Sequence, residues 1–136
     1  MKLYRISTRE YLMADFFYTS EVDGVLVVAV AEPNPMETLF DKEAADELTR
    51  IMQAFRPERV VVDFGYIHWC PTTAIFALLA IPKYLAPTGR MKLCGVSDAA
   101  HVACRFLNLD STTLDIAESR TEALAAFQDH ETLVTA

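Results

Sequence analysis

Glycine is scarce in this chain. There are four in 136 residues, at positions 24, 65, 89 and 95, and none falls in a GxGxxG or GxxxxGK[ST] pattern. A glycine loop that cradles nucleotide phosphates is therefore excluded. Basic residues are also few, 12 against 19 acidic ones, for a net charge of -7 and a pI near 4.8. The densest basic stretch, residues 56–59, is broken by Pro57 and Glu58. Nucleic-acid binding draws most of its affinity from phosphate neutralisation, so this composition argues against it. No apolar run approaches the ~20 residues of a membrane span; the longest strongly apolar stretch is residues 74–81. The first twenty residues carry Lys2, Arg5, Arg9, Glu10 and Asp15 and so hold no secretory apolar core. These absences predict a soluble, cytoplasmic protein. The three cysteines, Cys70, Cys94 and Cys104, lack framework spacing and read as reduced thiols.

What is abundant is apolar and β-branched. Hydrophobic residues make up 52% of the chain and charged ones 23%, enough for one packed core. No repeat or linker divides it. Residues 1–15 read as an N-terminal extension without assigned structure, 16–130 as a single domain and 131–136 as a frayed tail. Residues 16–21 and 25–32 are predicted strands joined through Val22-Asp23-Gly24, a hairpin signal. After a turn-rich stretch at 31–37, a helix capped by Thr38 or Asp41 carries Ala44, Leu48, Ile51, Met52 and Phe55 on one stripe. Lys42, Glu43, Glu47 and Arg50 are expected to face water, and Pro57 stops the helix. Residues 59–64 form the next strand. Pro71 opens a second, apolar helix, which Pro82 kinks or shortens. A strand at 91–96 follows, then a third helix capped by Ser97-Asp98 and stopped at Asn108. A short strand at 114–117 precedes the capping box Ser119-Arg120-Thr121-Glu122 of a fourth helix, buried through Ala123, Leu124 and Phe127. The predicted class is α/β: a mixed sheet of about five strands, an N-terminal hairpin plus parallel strands, with about four helices.

These residues offer three kinds of candidate chemistry. His101 and Cys104 lie three apart on one helix face, with Cys94 on the strand before, but no CxxC or HxxxH spacing accompanies them. No metal or other cofactor is expected. Cys70 precedes a helix start and stands near His68, yet no orienting carboxylate is evident, so packing roles are favoured over a catalytic dyad. Thr72-Thr73 after Pro71 reads either as a plain helix start or as a hydroxyl displayed at a positive helix end.

The stretch VVVDFGYIHWCPTTAIFALL, with RMKLCGVSDAAHVACRFLNLD and ESRTEALAAF after it, resembles the STAS domains of anti-sigma-factor antagonists from about residue 16 to 127. Val61-Val62-Asp63-Phe64 is similar to the family's strand and its Asp, and Pro71, Thr72, Thr73 and Ala74 fall on its D-S-S-G positions. The resemblance implies a sheet covered mainly on one face, and a non-catalytic signalling module that binds partners such as an anti-sigma-factor serine kinase. It implies a phosphoacceptor at Thr72 and a partner-binding surface of Gly65, Tyr66, Pro71, Thr72, Thr73 and Ala74, with the first helix adding contacts. The chain departs from the pattern at Pro71 for Asp and at Ala74 for Gly. The alternatives are an unphosphorylated scaffold or homodimerisation domain, and a small-ligand sensor with a pocket near Trp69, Cys70 and Tyr84.

Overall fold

The computed structural model describes residues 3–5, 10–13, 16–31, 39–85, 87–106 and 115–135. In chain order the elements are β1 (Leu3–Arg5), β2 (Glu10–Met13), β3 (Phe17–Val22), β4 (Val25–Val30), β5 (Leu39–Phe40), α1 (Lys42–Phe55), β6 (Arg59–Asp63), β7 (His68–Trp69), α2 (Pro71–Ala80), β8 (Arg90–Cys94), α3 (Asp98–Phe106), β9 (Asp115–Ile116) and α4 (Arg120–Thr135). The main sheet has the order β1-β2-β3-β4-β6-β8-β9, and β5 and β7 form a separate two-stranded sheet. The pairs from β1 to β4 are antiparallel and those from β4 to β9 parallel. The five expected strands are β3, β4, β6, β8 and β9. The N-terminal stretch, read as an extension, contributes β1 and β2 at the sheet's edge.

The predicted hairpin forms as its dipeptide requires. Asp23 and Gly24 both take positive φ, 50° and 81°, which matches the twist of the flanking strands. Side chains of the central strands alternate between two apolar clusters. Leu26, Val28, Val60, Val62 and Leu93 pack with Leu48, Ile51 and Met52 of α1, Leu78 of α2 and Ala100 and Cys104 of α3. Val25, Val61 and Cys94 point the other way, onto Ala123 and Phe127 of α4. Burial on both faces is why these strands read as continuous apolar runs. Three helices thus cover one face and α4 part of the other.

The helix ends follow from local chemistry. The Asp41 carboxylate accepts from the Ala44 N–H at 3.1 Å, an N-cap worth ~1 kcal/mol. Arg56 closes α1 in the left-handed region, φ 44°. Pro82 lies in a short 3-10 turn (Ile81–Tyr84) that ends α2. Ser97 and Ser119 cap α3 and α4 through their hydroxyls. Thr38, most of the 31–37 turn and Asn108 lie outside the described residues. The helix α4 runs through Thr135, across the stretch expected to fray.

One expectation is corrected here. Glu47 does not face water: it is 1% exposed, and its carboxylate accepts from the N–H groups of Phe16 and Phe17 at 3.0 and 2.8 Å. Position 47 lies three after Ala44 and four before Ile51, so it belongs to the buried stripe by geometry. The first amides of β3 need an acceptor there, which an aliphatic residue could not supply.

Candidate functional site

The turn after β6 sets the position of α2. The Asp63 Oδ1 accepts from the Gly65 N–H at 2.9 Å, and its Oδ2 takes the Arg120 guanidinium at 3.0 Å. Gly65 and Tyr66 both sit in the left-handed region, φ 60° and 61°, and the Ile67 N–H closes the turn on the Phe64 carbonyl at 3.2 Å. Tyr66 is held there at both ends. Its N–H donates to the Gly95 carbonyl at 2.6 Å and its hydroxyl to the Glu118 carbonyl at 3.0 Å. A side chain at Gly95 has no room: a Cβ would lie 2.4 Å from Asp63 Oδ1 and 2.6 Å from Gly65 N. The ends of β6, β8 and the first residue of α4 are thereby locked around one turn.

From this turn the chain passes through β7 into α2. Trp69 points inward, its ring 4.7 Å from Phe64 and 6.1 Å from Phe40. His68 and Cys70 point outward, and Cys70 takes the N-cap position. The Cys70 sulfur lies 3.5 Å from the Thr73 hydroxyl, not in a pair with His68. Hydrogen bonds from the Thr73 hydroxyl, then from its backbone N–H, hold the exposed Cys70 thiol below its ordinary pKa. Cys94 behaves oppositely. Burial, and then the nearby Asp63 carboxylate, push it up to about 12.

Pro71 and Thr72 are exposed, Thr73 and Gly65 half-buried, and Tyr66 exposed. Ala74 is fully buried, so it supports the helix start from below and presents no surface. Pro71 and Thr72 open onto an apolar groove of about 540 Å³ between α2, with Ile75 and Phe76, and α3, with Ala99, Val102 and Ala103. Tyr66 borders a different hollow of about 260 Å³, on another flank of α3, with Asp98, His101, Glu118 and Glu122. The expected surface therefore divides around α3, an element the sequence reading left out of the site.

Phe76 and Val102, which line the apolar groove, and Leu79 beside them on α2 are large apolar side chains left at the surface, 68%, 62% and 40% exposed. One signal in the sequence points to this: α2 carries no charged residue, so nothing marks a solvent face. A helix apolar all round is either buried on all sides or offered to another surface.

The other candidates separate in space. Cys94 faces α4 while Cys104 packs in the opposite core, so the sheet lies between these two of the three soft side chains His101, Cys104 and Cys94. Among the described residues no cluster of three or more His, Cys, Asp or Glu is arranged to hold a metal ion. Among the described residues no helix is long and apolar enough to cross a membrane.

No protein-family model and no curated protein sequence matches the chain. Solved structures do. An anti-sigma-factor antagonist (STAS) domain protein from Planctomyces limnophilus is similar at 16% identity and a TM-score of 0.65, over 81% of this chain and 95% of that one. A point variant of RsbS from Moorella thermoacetica is similar at 17% identity and a TM-score of 0.59, over 84% and 96%. A chain from the stressosome, described as a signal integration and transduction hub, is similar at 17% identity and a TM-score of 0.58, over 83% and 97%. At these identities the likeness establishes the fold. Antiparallel strands leading into a parallel run, with a helix launched from the turn after β6, are the features of a STAS-like α/β fold, and this chain has that fold.

Proposed function

We propose that this chain is a non-catalytic signalling module of the anti-sigma-factor-antagonist kind, which works in the cytoplasm by docking a partner protein on the surface around the start of α2. The observation that carries this reading is the exposed Thr72 hydroxyl at a helix N-terminus, beside an apolar groove that no described residue fills. Gly65 and Tyr66 hold the approach to that helix, Pro71, Thr72 and Thr73 form its rim, and Ala74 anchors it. An anti-sigma-factor serine kinase is the partner type the fold suggests, and regulation of transcription the process. Phosphoryl transfer from the partner's nucleotide to Thr72 would add about -1.5 to -2 charge at the docking rim. Pro71 in place of an acidic residue leaves that hydroxyl without a carboxylate beside it in sequence, so docking and phosphorylation are separate claims.

The test is a Thr72→Glu substitution. Thr72 is exposed, so the fold and melting temperature should be unchanged while affinity for a validated partner falls about tenfold or more. Unchanged affinity, read by calorimetry, removes α2's start from the interface. Intact-mass measurement after incubation with the cognate kinase decides the phosphoacceptor independently. The exposed Phe76 favours one second reading, an unphosphorylated scaffold or homodimer joined through this groove, which sedimentation at increasing concentration would reveal. The small-ligand reading, with a pocket near Trp69, Cys70 and Tyr84, has no such observation in its favour: the Trp69 ring packs against Phe40 and Phe64.

A further inference from the structure

We infer that the partner docks across α3 with an amphipathic, basic helical segment, its apolar face in the α2–α3 groove and its Lys or Arg side chains in the acidic hollow on the other flank. This rests on the docking reading above and adds the chemistry of the occupant.

Two independent features meet at α3. On one side Ala99, Val102 and Ala103 face Phe76 across a groove that is almost wholly apolar. On the other side Asp98, Glu118 and Glu122 line a hollow whose described lining includes no lysine or arginine. Successive positions on one helix serve both: Asp98 and His101 turn to the hollow, Ala99 and Ala103 to the groove, and the exposed Val102 forms the ridge between. Each carboxylate lies in or just before the first turn of α3 or α4, where the helix dipole offsets part of its charge. The offset is incomplete, because three formal negative charges share the hollow with one histidine. The nearest cation in sequence, Arg120, is committed to Asp63 at 3.0 Å.

This charge pattern selects the occupant. A second copy would bring another chain of net charge -7 and another acidic hollow against the first. Like charges meeting across an interface oppose association, whereas a basic segment is drawn in and oriented. Apolar residues at i, i+3, i+4 and i+7 of a helix match an open groove between two helices.

The experiment titrates the isotope-labelled full chain with two synthetic peptides of about 15 residues, each with leucines at helical spacing and flanked by lysines in one and glutamates in the other. The lysine peptide is expected to shift amides of α2, α3 and residues 118–122. It should bind about tenfold tighter than the glutamate peptide and weaken as salt rises from about 0.05 to 0.3 M. Glu118→Gln with Glu122→Gln should bring the two peptides within about threefold of each other. Phe76→Ser with Val102→Ser, both at exposed positions, should abolish binding of both. No binding of the lysine peptide, equal binding of the two, or shifts away from α3 would overturn the inference. So would concentration-dependent dimerisation that Phe76→Ser removes, which assigns the groove to a second copy. If Thr72→Glu releases a validated partner while the double glutamine variant binds it as before, the docking surface stands and the basic-partner claim fails.

Discussion

Two thiols show how position on a secondary element decides chemistry. Cys70 and Cys94 are the same residue type on consecutive elements, yet their acidities move in opposite directions. Cys70 sits outside, with Thr73 donating to its sulfur, which favours the thiolate. Cys94 sits inside, where desolvation favours the neutral thiol. Alkylation by iodoacetamide in the folded protein should therefore modify Cys70 and spare Cys94, with a rate for Cys70 that rises to a midpoint below 9.0. Thr73→Val should move that midpoint upward by removing the largest stabilising donor. The sign for Cys94 is the reverse: its folded pKa is raised, so its contribution to stability is complete below the unfolded value of 9.0 and lost as pH climbs towards about 12. Mass mapping of the alkylated protein across pH checks both.

At the scale of elements, the join between α1 and β3 is polar in an apolar setting. Glu47 projects from the buried stripe of α1 and accepts the two amides that start β3. Replacing it with leucine would suit the stripe but leave buried N–H groups unpaired, at a cost of about 1–3 kcal/mol each. Glu47→Leu is expected to lower the melting temperature markedly. Glu47→Gln, which keeps an acceptor oxygen, should cost less. If the two variants melted alike, the carboxylate's bonds to β3 would not be what matters at this position. The α2 launch works differently, through backbone geometry: Gly65, Tyr66 and Gly95 all hold positive φ within one hydrogen-bonded knot.

Across the whole molecule, the sheet is covered unequally. The face carrying Leu26, Val60 and Leu93 has α1, α2 and α3, while the face carrying Val25, Val61 and Cys94 depends on α4. Exposing those three at once would open an apolar patch of the kind that drives self-association. A chain truncated before Ser119 is therefore expected to bind a hydrophobic dye and to self-associate more strongly than the full chain, read by sedimentation. A truncated chain that was dye-silent and no more associated than the full chain would mean α4 is dispensable to the core.

Much of this architecture was legible in the linear chain because it depends on short-range pattern. Asp23-Gly24 dictated a hairpin, Val60 to Val62 a doubly buried strand, Pro71 a helix start, and Ser119 with Glu122 a cap, each through contacts within a few residues. Thr72 read either as a plain helix start or as a displayed hydroxyl; its exposure is what the tertiary structure added. What depended on distant partners was not legible. Glu47 went inside because β3, thirty residues away, needed acceptors. Phe76 and Val102 stayed outside because α2 and α3 were set apart across a groove, and hydrophobicity alone cannot tell a core position from an unfilled surface. The acidic hollow arose only when β9 and the start of α4 were brought beside α3. Local pattern selects elements, but packing decides which of their faces remain available to a partner.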